Sequence, residues 1–253
     1  MTGEGGLETR RASVAQVRQR LNDLLDGWRA PVADLAAAVS AIAEPPHDGD
    51  DSPAVSEAAL DDLVPSVERL VQSARAIIGA GFIAAPGLVD GCERYMLWLQ
   101  NRDGAARRLR LNFDTSDVDA YDYVRMDWYS RARSTRGACL TGPYLDYSGS
   151  DHIVVTLTVA ANCGSQFAGV AGIDLSAHAA EGLLVEQLRA LEADAVVFND
   201  ERLVVAANSA RWMPGERVPA VRGEALGLDQ SERLLAWSGW TLGVARSEIQ
   251  QLR

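Results

Sequence analysis

Residues 152–174 read HIVVTLTVAANCGSQFAGVAGID, and the reading of this stretch decides the fold. Two runs of β-branched or small apolar residues, 152–161 and 166–173, flank the turn-forming segment 162–165, so they predict a hairpin of central strands. Thr156 and Thr158 alternate with Val155, Leu157 and Val159, which gives one face of the first strand its hydroxyls. Strand preference alone also explains the threonines. Asp174 closes the second run. An unpaired carboxylate buried at the end of an apolar strand is costly, so it either meets a cation, such as a ligand ammonium, or caps the following helix through backbone amides. That helix is expected from Ser176, with Leu183, Leu184, Leu188 and Leu191 on its apolar face.

Upstream, residues 121–129 (YDYVRMDWY) and 141–147 (TGPYLDY) hold five of the six tyrosines, and each tyrosine or tryptophan joins a large apolar face to one hydrogen-bonding tip. The cluster of Tyr121, Tyr123, Trp128, Tyr129, Tyr144 and Tyr147 predicts an enclosure for a small polar ligand. Plain core packing is the alternative for any one of them. Asp122, Asp127 and Asp146 are expected to be solvated or turn-forming.

Further out, residues 94–100 and 107–113 flank the Asp103-Gly104 turn and read as a second hairpin. A helix is expected from the N-cap Ser56 through Leu60, Leu63, Val67, Leu70, Val71 and Ile78 to a stop at Gly79. Residues 44–53, EPPHDGDDSP, read as a linker containing His47. Residues 13–42 carry one helical apolar stripe, which Pro31 is expected to kink or split. The seven-residue series Val14, Leu21, Trp28, Leu35 and Ile42 suits either a dimer seam or burial against the chain's own domain. Downstream, short strands at 195–198, 203–207, 234–237 and 241–245 predict a small antiparallel subdomain, with 213–230 as a polar, irregular connection.

Composition excludes several classes. The formal charge is −11 and every basic residue is arginine, which argues against a broad nucleic-acid or anionic-membrane surface. Cys92, Cys139 and Cys163 form no CxxC pair, so neither a disulfide framework nor a zinc cluster is suggested. No run reaches the length of a membrane span and the start carries Glu4, Glu8, Arg10 and Arg11, so a cytoplasmic location is expected. His152 and His178 belong to no recognisable metal or nucleophile motif, and residues 164–172 lack the lysine of a phosphate loop. No cofactor, metal or catalytic residue is expected.

The order of long helix, hairpin, aromatic segment, hairpin ending in Gly172-Ile173-Asp174, then helix, resembles the Cache family of small-molecule sensor domains, in its soluble, cytoplasmic bacterial type. Trp128-Tyr129, Gly142-Pro143-Tyr144 and the run 169–174 (GVAGID) resemble its characteristic words, and the resemblance covers residues 56–191. It implies an α+β fold, Cache/PAS-like, with a mixed, mainly antiparallel sheet, long N-terminal helices and a small C-terminal β subdomain. The domains expected are 1–55, helical region and linker; 56–192, ligand-binding domain; and 193–253, β subdomain. In amino-acid-binding members the first motif holds the ligand carboxylate and the closing aspartate its ammonium. The resemblance therefore implies Tyr121, Arg125, Trp128, Tyr129, Tyr144 and Asp174 as the ligand-binding residues. The family arginine stands two positions before the tryptophan, where this chain has Met126, whereas Arg125 stands three before it. The function expected is binding of an amino acid, amine or short carboxylate, with occupancy relayed to a partner such as a transcriptional regulator or through a homodimer. The alternative is a hydrolase acting on the same ligands through Asp174 and Arg125.

Overall fold

A computed structural model describes residues 12–44, 54–114, 116–118, 120–147, 149–218 and 228–245. The expected linker and His47 lie outside them, as does part of the expected connection at 213–230. By its contacts the chain forms two compact units, one of residues 24–181 with 235–239, the other of residues 1–23, 182–234 and 240–253.

The first helix, α1 (Val14–Ile42), runs unbroken through Pro31. A mid-helix proline costs about 3 kcal/mol. The stripe on both sides of it, Val17, Leu21, Leu25 and Trp28 before and Val32, Leu35 and Val39 after, is at most 9% exposed. At about 1.5–3 kcal/mol for each buried side chain, that stripe outweighs the proline penalty. Leu21, Trp28 and Leu35 of the seven-residue series are thus covered by this chain itself.

Ser56 caps the next helix as expected, accepting the Ala59 amide at 3.2 Å, but the helix is two short pieces, α2 (Glu57–Asp61) and α3 (Val64–Gln72), with Pro65 in the first turn of the second. Residues Ile77–Ala84, where a helix end and glycine stop are expected, are instead a strand, β1. Glycine there serves close approach, not helix termination. A Cβ on Gly81 would lie 1.9 Å from the Leu97 carbonyl oxygen.

The larger unit is built on a six-stranded antiparallel sheet of order β3-β2-β1-β6-β5-β4. Its strands are β1, β2 (Met96–Arg102), β3 (Ala105–Arg108), β4 (Ala138–Asp146), β5 (His152–Cys163) and β6 (Gln166–Ser176). Both expected hairpins are present, although β3 stops at Arg108. Asp103 and Gly104 turn the first with φ of 55° and 82°, the left-handed geometry such a two-residue turn requires. Between β3 and β4 lies a helix, α4 (Asp127–Thr135), which packs on β4, β5 and β6. Ser176 starts α5 (Ala177–Leu188), its hydroxyl 3.5 Å from the Ala179 amide.

Register sets two distinct faces. Ala80, Phe82, Leu97, Leu99, Leu157, Ile173 and Leu175 fill one, all at most 5% exposed. The other carries, row by row across β2, β1, β6 and β5, Trp98–Gly81–Gly172–Thr158 and Gln100–Gly79–Asp174–Thr156. Glycine at the centre of both rows leaves a depression floored by backbone.

The smaller unit has a four-stranded antiparallel sheet of order β8-β7-β10-β9, made of β7 (Ala195–Phe198), β8 (Val204–Ala207), β9 (Leu228–Arg233) and β10 (Thr241–Ala245). Val196, Val204, Trp212, Val218 and Ala245 form its core. The strand expected at 234–237 is replaced by a short 3-10 turn, Ala236–Ser238, and the polar run of β9 pairs with β10. β9 lies at the edge of the sheet, where charged and polar side chains are tolerated, so its sequence lacks the apolar run of a central strand.

Candidate ligand-binding site

Over the glycine floor lies a cavity of about 410 Å³ of empty space, partly open to solvent. Its walls are apolar at Ile83, Met96, Leu109 and Leu111, aromatic at Trp98, Tyr121, Trp128 and Tyr144, and polar at Thr156, Thr158, Asp146 and Asp174. The mixed lining, apolar and aromatic walls with a few placed polar groups, suits a small ligand.

Asp174 is 8% exposed, and the hydrogen bond it accepts comes from Thr156 Oγ1 at 2.6 Å. With its one proton committed there, Thr156 accepts from the Tyr144 hydroxyl at 2.7 Å, so the three form a directed chain. Its second oxygen lies 3.4 Å from where a Cβ on Gly79 would stand. Burial pushes the Asp174 carboxyl up to about 7, the Thr156 hydrogen bond opposes this, and the charge of Asp146 adds to it. Among the described residues, no arginine or histidine lines the cavity. The carboxylate therefore faces the cavity without a counter-charge among the described residues. Burial and the nearby carboxylates hold the Tyr121 and Tyr144 phenols well above their usual range, so both remain protonated donors.

A bulge aims Tyr144. Thr141 pairs with Thr156 and Tyr144 with Val154, one residue more on β4 than on β5, and the surplus falls at Gly142-Pro143. Without it Tyr144 would oppose Ile153 on the other face. Gly142 has φ of 109° and its Cβ would stand 2.7 Å from the Val154 carbonyl oxygen, so glycine is required there. Trp128 is placed by its own carbonyl oxygen, which accepts Thr158 Oγ1 at 2.9 Å and pins the start of α4 to β5. Asp146 accepts the Gly149 and Ser150 amides at 3.2 and 2.8 Å, and Gln100 holds that rim by donating to the Gly149 carbonyl at 2.8 Å.

Of the six residues singled out from the sequence, the cavity collects Tyr121, Trp128, Tyr144 and Asp174. Tyr129 is fully buried beside it, edge-on to Tyr123 and Phe167. Arg125 lies outside: its side chain is 87% exposed and pairs with Asp122 at 3.1 Å. A 3-10 turn, Tyr123–Arg125, directs Tyr123 into the core and leaves Arg125 in water. The expected enclosure likewise loses Tyr123, whose hydroxyl donates to the Ala84 carbonyl at 2.9 Å, and Tyr147, which is 78% exposed. Trp98 is the main residue that sequence reasoning missed. Its indole nitrogen lies 2.6 Å from the position of a Gly79 Cβ, so that glycine makes room for it. The alternation Met96, Trp98, Gln100 against a glycine-bearing apolar run was the available signal.

Residues 64–179 match the sequence family described as methyl-accepting chemotaxis protein-like, first PDC sensor domain. No curated protein sequence matches the chain. Among solved structures, the ligand-binding domain of the Campylobacter jejuni chemoreceptor Tlp3, solved with L-valine, aligns with a TM-score of 0.61 at 18% identity over 94% of this chain and 91% of that one. The extracellular domain of soHK1S-Z6, assigned as a histidine kinase, aligns with a TM-score of 0.58 at 16% identity over 93% and 91%. The ligand-binding domain of the Pseudomonas aeruginosa PAO1 amino acid chemoreceptor PctC, solved with GABA, aligns with a TM-score of 0.57 at 15% identity over 91% and 93%. At these identities the likeness establishes the fold.

The cytoplasmic expectation is corrected by these matches, which are to chemoreceptor ligand-binding domains and an extracellular kinase domain. Composition reports that a surface faces water and is silent on which side of a membrane that water lies. Among the described residues no helix is long and apolar enough to cross a membrane.

Proposed function

We propose, for a chain whose residues 64–179 match a PDC sensor-domain family, that the cavity binds an amine-bearing small molecule, an amino acid or a related amine, and that occupancy is relayed to a signalling partner. One observation carries this reading. Asp174 is a buried carboxylate with a single hydroxyl donor, no cation beside it, and an aromatic cavity in front of it. A ligand ammonium supplies the missing charge, and the ring faces of Trp98, Trp128, Tyr121 and Tyr144 favour the same cationic end. The carboxylate of an amino acid would find neutral donors there, the Tyr121 hydroxyl and the Trp98 indole nitrogen, and no arginine.

The neighbours that bind L-valine and GABA support an amine-bearing ligand, and their being receptor domains supports a signalling output. The expected regulator partner and homodimer belong to this proposal at a lower level, since the helix stripe that motivated a dimer is covered within the chain. A hydrolase needs Asp174 and Arg125 together, and the fold keeps them apart. Isothermal titration with an amino acid, its decarboxylated amine and its deaminated acid tests the reading. The amine is expected to bind at least as tightly as the amino acid and the plain acid not at all. Acid binding as tight as the amine's would end the proposed role of Asp174.

A further inference from the structure

On another side of α4 is a second cleft of about 930 Å³ of empty space, open to solvent and lined by Tyr129, Arg133, Arg136, Ser165, Gln166 and Phe167 together with Ala85, Pro86 and Leu88. Its lining holds two guanidinium groups and no carboxylate, in a chain whose formal charge is −11. Arg133 makes no hydrogen bond or ion pair among the described residues. Arg136 is held in place: its backbone takes φ of 54°, its Nη1 donates to Asn162 Oδ1 at 3.0 Å, and its guanidinium lies 5.8 Å from the Phe167 ring centre. A second, independent feature is the Tyr129 hydroxyl, fully buried yet without a hydrogen-bond partner. Burial holds that phenol well above its usual range, opposed by the charges of Arg133 and Arg94, so it remains a donor with nothing to donate to. Buried polar groups of this kind are rare, and each calls for a partner.

We propose that this cleft is a second binding site, distinct from the amine cavity, that takes a small oxyanion of the carboxylate or phosphate class between Arg133, Arg136 and the Tyr129 hydroxyl. Guanidinium groups suit such a ligand because their planar donors match two oxygens at once. The Tyr129 hydroxyl supplies the inner donor and Arg133 the outer one. Trp128 lines the amine cavity and its neighbour Tyr129 lines this cleft, so α4 touches both ligands.

Isothermal titration of the full chain with inorganic phosphate, and separately with acetate, at fixed ionic strength tests the site. Saturable binding of at least one anion is expected, and the two arms tell which oxyanion geometry the cleft takes. The double variant Arg133→Gln, Arg136→Gln should weaken it at least about tenfold, the loss of one charge-assisted hydrogen bond or more. Tyr129→Phe, which removes a hydroxyl that bonds to nothing, should fold with undiminished stability and bind the anion severalfold more weakly. Asp174→Asn should bind it as the wild type does, which separates this site from the cavity. Absence of saturable binding for both anions, wild-type affinity in either the arginine or the tyrosine variant, or loss of binding in Asp174→Asn overturns the proposal.

Discussion

The two hollows beside α4 are opposites. Among the described residues, one is lined by two carboxylates and no base, the other by two arginines and no acid. They are reached by consecutive residues, Trp128 and Tyr129, because neighbours on a helix point about 100° apart. A Trp-Tyr pair that reads in the sequence as one ligand-binding word is therefore divided between two environments. The sign of the charge that lines them, not the Trp-Tyr pair they share, distinguishes the hollows chemically.

The sharpest way to break that contrast is Asp174→Asn. Removing one side of a buried charge pair costs about 2–5 kcal/mol of binding, so affinity for an amine ligand should fall at least about thirtyfold. The ligand-free variant should melt no lower than wild type, because it loses a desolvated charge without a counter-ion. Near-normal affinity in titration would show that the acid does not meet the ligand. Asp174 is also no longer needed as a cap, since Ser176 fills that place.

Gly79→Ala tests the floor. Its methyl would stand 2.6 Å from the Trp98 indole nitrogen, the movable end of a side chain, whereas the same change at Gly81 meets backbone at 1.9 Å. Displacing Trp98 should cost about 1–3 kcal/mol in urea unfolding, the usual range for overpacking, and reduce amine affinity about tenfold. Retained affinity would remove Trp98 from the ligand's surroundings.

Thr156→Val deletes the hydroxyl between Tyr144 and Asp174 and leaves the acid with no donor. A loss of about 1–3 kcal/mol is expected from equilibrium unfolding, the range for an orphaned buried polar group. No loss would mean that the chain of hydroxyls contributes little.

The pH dependence follows from the same carboxyl. Its folded value is raised from 3.8 to about 7, so between these values the folded state holds a proton that the unfolded state has released. Stability from this group is present below about pH 4 and falls as pH rises towards about 7. Melting temperatures of wild type and Asp174→Asn, compared across that window without ligand, should diverge in favour of the variant as pH rises. Parallel curves would show that the acid is not desolvated. Amine binding selects the ionised acid, so affinity should rise over the same range.

The smallest effect is expected at Arg125→Ala. The side chain is 87% exposed and its partner is another surface group, so amine affinity should stay within about twofold and stability within about 1 kcal/mol. A tenfold loss of affinity would show that the 3-10 turn re-forms around the ligand and brings the arginine inward.

The sequence by itself determined what short-range physics controls. The period-two runs of β5 and β6, the stripe of α1, the Asp103-Gly104 turn and the caps at Ser56 and Ser176 are all read within a few residues, because periodicity and capping are local. That Asp174 is an acid in need of a partner was legible for the same reason. Tertiary structure alone decided that Ile77–Ala84 is a strand, since only the approach of Leu97 and Trp98 explains its glycines. It also decided that a one-residue bulge turns Tyr144 towards Thr156, and that Arg125 faces water. Register and side-chain direction in irregular segments depend on partners far away in the chain. A floor assembled from Gly79, Gly81 and Gly172 beneath Trp98 exists only once three strands pair.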